Sequence, residues 1–286
     1  MKVGLFPGQG ITAKTVLDAL PDNDLLVATA SEVLGYDLRN RVESVAKRQR
    51  SVLATSIAQP AIFTASLVSF FAGGARCDAL VGHSLGEYAA LVAGEALSFE
   101  HGLHAVQVRG EAMNSIASRS TGGMVALLDL SISESEEVAD QAGVSIANDN
   151  CPGQIVVAGD DDGLARAAEQ AKARGGRAVR LEVTGPFHTS AMASAAAALR
   201  DVLDHVVLRS PKIPVISNVS ARAYRAPGEI RKLLVEQLTS KVRFRESLIG
   251  LQERGFDRFY DFGPGRVVAR LAARTFDPQL TPAGAS

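Results

Sequence analysis

The sequence predicts an α/β fold: a mostly parallel sheet covered by helices, interrupted by a small inserted domain of ferredoxin-like order. Three observations predict it. Short apolar runs ending in turn residues alternate with helix-period segments along residues 1–120 and again along 185–286. Between them, residues 121–184 change rhythm to strand, helix, strand, strand, helix, strand, which is the βαββαβ arrangement. One strand-to-helix turn carries Gly82-His83-Ser84-Leu85-Gly86, the G-x-S-x-G spacing of a nucleophile elbow.

Residues 3–6 read as a buried strand, broken by Pro7-Gly8-Gln9-Gly10. Such a turn either offers free backbone amides to an anion or is a plain βα connection. Segments 12–20 and 24–34 read as helices, and the charge-rich 39–50 as a solvated connection. Segment 54–71 is strongly helical with Pro60 inside it, which predicts a kink or the first turn of a second helix. The elbow strand and its helix follow. In the helix 100–118, Leu103, Val106, Gly110, Met113 and Ala117 form an apolar stripe with Arg109 at its border. A border arginine either covers apolar surface with its stem or leans its guanidinium into a cleft.

The inserted region starts with a strand at 124–130 and an acidic helix at 133–141, with Ser133 as cap and Glu136 three residues on. A strand at 144–147, a turn at Asn148-Asp149-Asn150-Cys151-Pro152-Gly153, a strand at 155–158, a helix at 161–174 and a strand at 177–183 complete it. The chain then runs through Gly185-Pro186-Phe187-His188 into an alanine-rich helix at 190–205 and a strand at 211–217. Helices at 229–239 and 244–254, a strand at 256–262, and Gly263-Pro264-Gly265 leading into a helix at 266–274 come last. The end, with Pro278, Pro282 and Gly284, reads as a frayed tail.

A chain of 286 residues is long enough for one large domain or two unequal ones. Thirty basic against 31 acidic residues leave a net charge of -1, so no general attraction to nucleic acid or to an anionic membrane is expected. Cys77 and Cys151 lack metal-ligand spacing and read as reduced thiols of a cytoplasmic protein. No uncharged apolar stretch is expected to reach the roughly 18 residues of a membrane span.

A serine nucleophile needs a base, and histidine has the right pKa. His101 and His104 read as a solvated helix face, His205 closes a helix, and His83 adjoins the nucleophile and braces the turn. His188, in a loop before a helix just after the insertion, can face Ser84 across the domain cleft. No acid stands near it; Asn218, Gln237 or a backbone carbonyl are the candidates to orient it.

Together these pieces resemble the malonyl-CoA:acyl-carrier-protein transacylases of fatty acid synthesis and the related acyltransferase domains of polyketide synthases. The matching segments are Phe6-Pro7-Gly8-Gln9-Gly10, Gln59-Pro60-Ala61, Gly82-His83-Ser84-Leu85-Gly86-Glu87-Tyr88, Arg109-Gly110 with Met113, and Asn150 with Pro152-Gly153-Gln154. Gly185-Pro186-Phe187-His188-Thr189, Ser217-Asn218-Val219, Gln237-Leu238 and Gly263-Pro264-Gly265 continue the match.

The resemblance implies an α/β-hydrolase-like large domain and a ping-pong reaction. Ser84 attacks malonyl-CoA with His188 as base, and the oxyanion rests on the amides of Gln9 and Leu85. Arg109 holds the malonyl carboxylate, Phe187 favours malonyl over larger groups, and a main-chain carbonyl near Gln237, with Asn218 close by, orients His188. The acceptor is the phosphopantetheine thiol of an acyl carrier protein, and no metal or redox cofactor is needed. A monomer is the simplest expectation.

Ile11-Thr12 and Lys241-Val242-Arg243-Phe244 depart from the family pattern at the cleft rim. The alternatives are a trans-acting polyketide acyltransferase with another extender unit, and a hydrolase of acyl carrier proteins. A carboxylate clamp at Arg109 argues against the hydrolase. An ordinary esterase fits less well, because Glu87 stands where many esterases have a further glycine.

Overall fold

The computed structural model describes residues 1–48, 52–183, 185–276 and 279–282. Among these the strands are β1 (Lys2–Phe6), β2 (Ala79–Gly82), β3 (Gly122–Leu128), β4 (Ser145–Cys151) and β5 (Gln154–Asp160), then β6 (Arg177–Arg180), β7 (Val215–Ile216), β8 (Val242–Arg243), β9 (Arg258–Asp261) and β10 (Gln279–Pro282). One sheet has the order β10-β9-β1-β2-β7 with every pair parallel. The other has the order β6-β3-β5-β4-β8, antiparallel except where β8 joins β4.

A parallel sheet covered on both faces needs apolar residues pointing both ways. Val3, Leu5, Ala79 and Val81 pack on one face with Phe244, Leu248 and Phe259. Phe6 and Leu80 pack on the other with the helices Thr55–Gly73, Gly86–Ala93 and Phe99–Ala117. In the second sheet, Val125, Leu127 and Val157 pack against Val138, Leu164 and Ala167 of its two helices.

Several expectations are corrected. The connection at 39–50 contains a helix, Leu38–Ala46, capped by Asp37. Its buried Leu38 and Val42 are one helical turn apart, and the charges around them hide that pair from a composition reading; residues 49–51 lie outside the described residues. The capping box of the next acidic helix is Ser131 with Glu134, two residues before the expected pair. The helix Thr55–Gly73 continues through Pro60, and by length and composition it would suffice to cross a membrane. Here Ala61, Ile62, Phe63 and Leu67 bury it in the main core.

The expected turn at Asn148, Asp149 and Asn150 is strand, and only Pro152-Gly153 turns. The polar residues belong in a strand because they meet the large domain. Asn148 and Asp149 pair with β8, and Asp149 takes a bidentate ion pair from Arg245 at 2.8 Å to each oxygen. The tail also differs, since Gln279–Pro282 pairs in parallel with β9. Pro278, Gly284 and Thr184 lie outside the described residues.

The carboxyl ends of β1, β2 and β9 lead into three loops that converge. A Cβ on Gly263 would sit 2.0 Å from Pro7 Cγ, so the loop after β9 braces the glycine-rich loop after β1. A Cβ on Gly86 would sit 2.1 Å from the Phe6 carbonyl oxygen. The elbow helix can approach β1 this closely only without side chains at the contact.

Candidate active site

Ser84 sits between β2 and the helix Gly86–Ala93 with φ 52°, and His188 has φ 62°. Left-handed backbone at a non-glycine residue costs free energy and persists only where the surroundings fix it. Here both residues are buried and meet each other, with Ser84 Oγ 2.8 Å from His188 Nε2. His188 Nδ1 lies 2.8 Å from the Gln237 carbonyl oxygen, which can only accept. Nδ1 therefore carries the hydrogen, and Nε2 is left to accept the serine proton.

The partner of His188 Nδ1 is thus the Gln237 main chain. Asn218 does different work: its Oδ1 accepts the Ser84 N–H at 2.6 Å and its Nδ2 donates to the Gly82 carbonyl at 2.6 Å. It holds the nucleophile turn, with no hydrogen bond to His188.

Arg109 is 1% exposed, well inside the border position that the stripe suggested. Its Nη2 donates to Ser84 Oγ at 2.9 Å and to Gln237 Oε1 at 3.0 Å, and its Nη1 to Gln59 Oε1 at 2.7 Å. Its stem carries the charge over the Tyr88 ring, 5.7 Å from the centroid. The Nε is buried with no hydrogen-bond partner among the described residues.

Burial pushes the His188 imidazole down to about 3, and the nearby Arg109 cation pushes in the same direction. The neutral form is the one a general base requires. For linkage, the folded value lies below the ordinary 6.5, so His188 supports folding fully above that value and the support is lost as pH falls toward 3. From about pH 8 to pH 5, 15N NMR of His188 should keep the signature of the neutral Nδ1–H tautomer. A midpoint near the ordinary imidazole value would contradict the burial-driven shift.

Gln9 lines the same cavity as Ser84 and His188, a space of about 550 Å³ that Phe187, Met124 and Asn150 also line. The Gln9 side chain is held by Thr55, whose Oγ1 donates to Oε1 at 2.6 Å. Leu85 opens the elbow helix, and neither its amide nor that of Gln9 donates to a backbone carbonyl among the described residues. His83 turns away from Ser84, its Nε2 2.7 Å from Asn150 Oδ1.

Neither Gln59 nor Tyr224 carries a local signal of a site role, and Glu87 reads locally only as a residue that sets this elbow apart from an esterase's. Gln59 and Tyr224 meet the site only through tertiary packing. Glu87 had one local signal, an acid within an otherwise apolar elbow helix, and the structure buries it completely.

A family model described as the acyl transferase domain matches residues 7–284. The chain is 39% identical over 283 residues to a malonyl CoA-acyl carrier protein transacylase of Bacillus subtilis strain 168, covering 94% of this chain and 89% of that protein. Among solved structures, an acyl-carrier-protein S-malonyltransferase from Burkholderia pseudomallei matches with TM-score 0.90 at 32% identity, over 99% of this chain and 95% of that one. A malonyl-transacylase in complex with a type II polyketide synthase acyl-carrier protein matches with TM-score 0.86 at 33% identity, over 99% and 94% of the two chains.

Proposed function

The chain belongs to the malonyl-CoA:acyl-carrier-protein transacylase family, and from that premise we propose that Ser84, His188 and Arg109 move a malonyl group from malonyl-CoA to the phosphopantetheine thiol of an acyl carrier protein. One observation carries this assignment of roles. A single oxygen, Ser84 Oγ, touches both a neutral histidine at 2.8 Å and a buried arginine at 2.9 Å. Nucleophile, base and carboxylate clamp meet at one point.

In the first half-reaction Ser84 Oγ attacks the thioester carbonyl and its proton passes to His188 Nε2. The oxyanion rests on the Gln9 and Leu85 amides. Collapse expels the thiolate of coenzyme A, which takes the proton back, leaving malonyl-Ser84. In the second half the carrier's thiol gives its proton to Nε2 and attacks the ester, and His188 returns the proton to Ser84 Oγ. A thioester is exchanged for an ester and then for a thioester, so no metal or redox cofactor enters. The substrate carboxylate also helps the base: paired with Arg109, it cancels the charge that disfavours the imidazolium.

The same reading takes the enzyme as a cytoplasmic monomer, with Phe187, 2% exposed at the cavity wall, limiting the space at the malonyl C2 position. Initial rates with malonyl-CoA and a holo carrier protein should give parallel double-reciprocal lines. Methylmalonyl-CoA should be the poorer donor in that assay. Intersecting lines would mean that both substrates bind before the first product leaves, which would contradict the ping-pong order.

A further inference from the structure

Glu87 lies in the elbow helix, three residues past the nucleophile and fully buried. Its Oε1 accepts from the Tyr224 hydroxyl and from the Asn218 backbone N–H at 3.2 Å, and its Oε2 accepts from Gln237 Nε2 at 2.5 Å. Three donors aimed at two oxygens suit an acceptor-only group, the ionised carboxylate. Burial pushes this carboxyl up to about 7, while the three donors and Arg109 pull it down.

The Gln237 side chain stands between Glu87 and Arg109. Its Nε2 faces the carboxylate and its Oε1 takes Arg109 Nη2 at 3.0 Å. One end of an amide donates and the other accepts, so a carboxylate on one side and a guanidinium on the other permit one orientation. Among the described residues no ion pair joins Glu87 to Arg109 directly. The negative charge acts at one residue's remove. It balances the buried cation without itself bonding the guanidinium.

We propose that Glu87 is a positioning residue for acyl selectivity, acting through the Gln237 side chain to fix the Arg109 guanidinium where a substrate carboxylate meets it. This rests on Arg109 being the carboxylate clamp. Glu87→Gln keeps the shape but forces one donor against another, either at Gln237 or at Asn218. If the Gln237 amide flips in response, its NH2 faces Arg109 and displaces the guanidinium.

The test compares acylation of Ser84 by malonyl-CoA and by acetyl-CoA, which lacks the carboxylate. In Glu87→Gln the malonyl-to-acetyl ratio of kcat/KM should fall by about tenfold, and in an Arg109→Ala background the same substitution should leave that ratio unmoved. Equal losses for both donors, or a ratio change that persists without Arg109, would overturn the proposal. If Glu87→Gln does not fold, Tyr224→Phe takes its place, removing one of the three donors. Its ratio should fall by about threefold, and an unchanged ratio would overturn the proposal equally. Failure of the underlying clamp assignment reads differently: the wild-type enzyme itself would show no preference for malonyl-CoA.

Discussion

His188→Ala is expected to slow the acylation of Ser84 by about 10³-fold, read as the rate of the first burst of coenzyme A released from malonyl-CoA. The size follows from the geometry. Nε2 at 2.8 Å is the acceptor placed to take the Oγ proton, and the Gln237 carbonyl locks the tautomer that makes it available. Without it, the remaining hydrogen-bond partner of Oγ among the described residues is Arg109 Nη2, which can only donate. Arg109 can stabilise an alkoxide once formed, but it offers the proton nowhere to go. A loss of less than about tenfold would mean that water or another group serves as base.

Arg109→Ala should lower kcat/KM for malonyl-CoA by about 10²- to 10³-fold while costing acetyl-CoA less than about tenfold. A charge-assisted, desolvated pair with the malonyl carboxylate is lost in one case and never existed in the other. Removing the cation also relieves the charge that disfavours protonated His188, which partly spares acetyl transfer. Arg109→Lys should behave more like alanine than like arginine, because a lysine lacks the fork that spans Gln59, Ser84 and Gln237. Stability should fall as well, since Glu87 would keep its burial and lose the neighbouring cation. Equal losses with both donors would assign Arg109 a structural role only.

What the sequence made legible is local. The elbow shows because its glycines are demanded by contacts within one strand-turn-helix unit and with β1. The βαββαβ order shows because each element there carries its own cap or turn, such as Gly143 at φ 71° ending the helix Ile132–Ala142. His188 stands out by elimination among the histidines and by its place after the insertion. Asn218 and Gln237 are legible as candidates, but the wiring of the polar layer beneath Ser84 is not, because its bonds join Gln59, Glu87, Asn218, Tyr224 and Gln237 across segments far apart in the chain. A buried glutamine has no periodicity, and only its partners explain it. The same holds for β4, whose Asn148 and Asp149 look like a turn until β8 and Arg245 supply their partners.

The most direct measurement is to mix the protein with labelled malonyl-CoA, quench, and map the label, then repeat after adding a holo acyl carrier protein. Label should appear as an ester on Ser84, survive without carrier, and move to the carrier's thiol when the carrier is added. Label released as free malonate at the same rate with and without carrier, or absent from Ser84, would contradict the transfer mechanism derived from Ser84, His188 and Arg109.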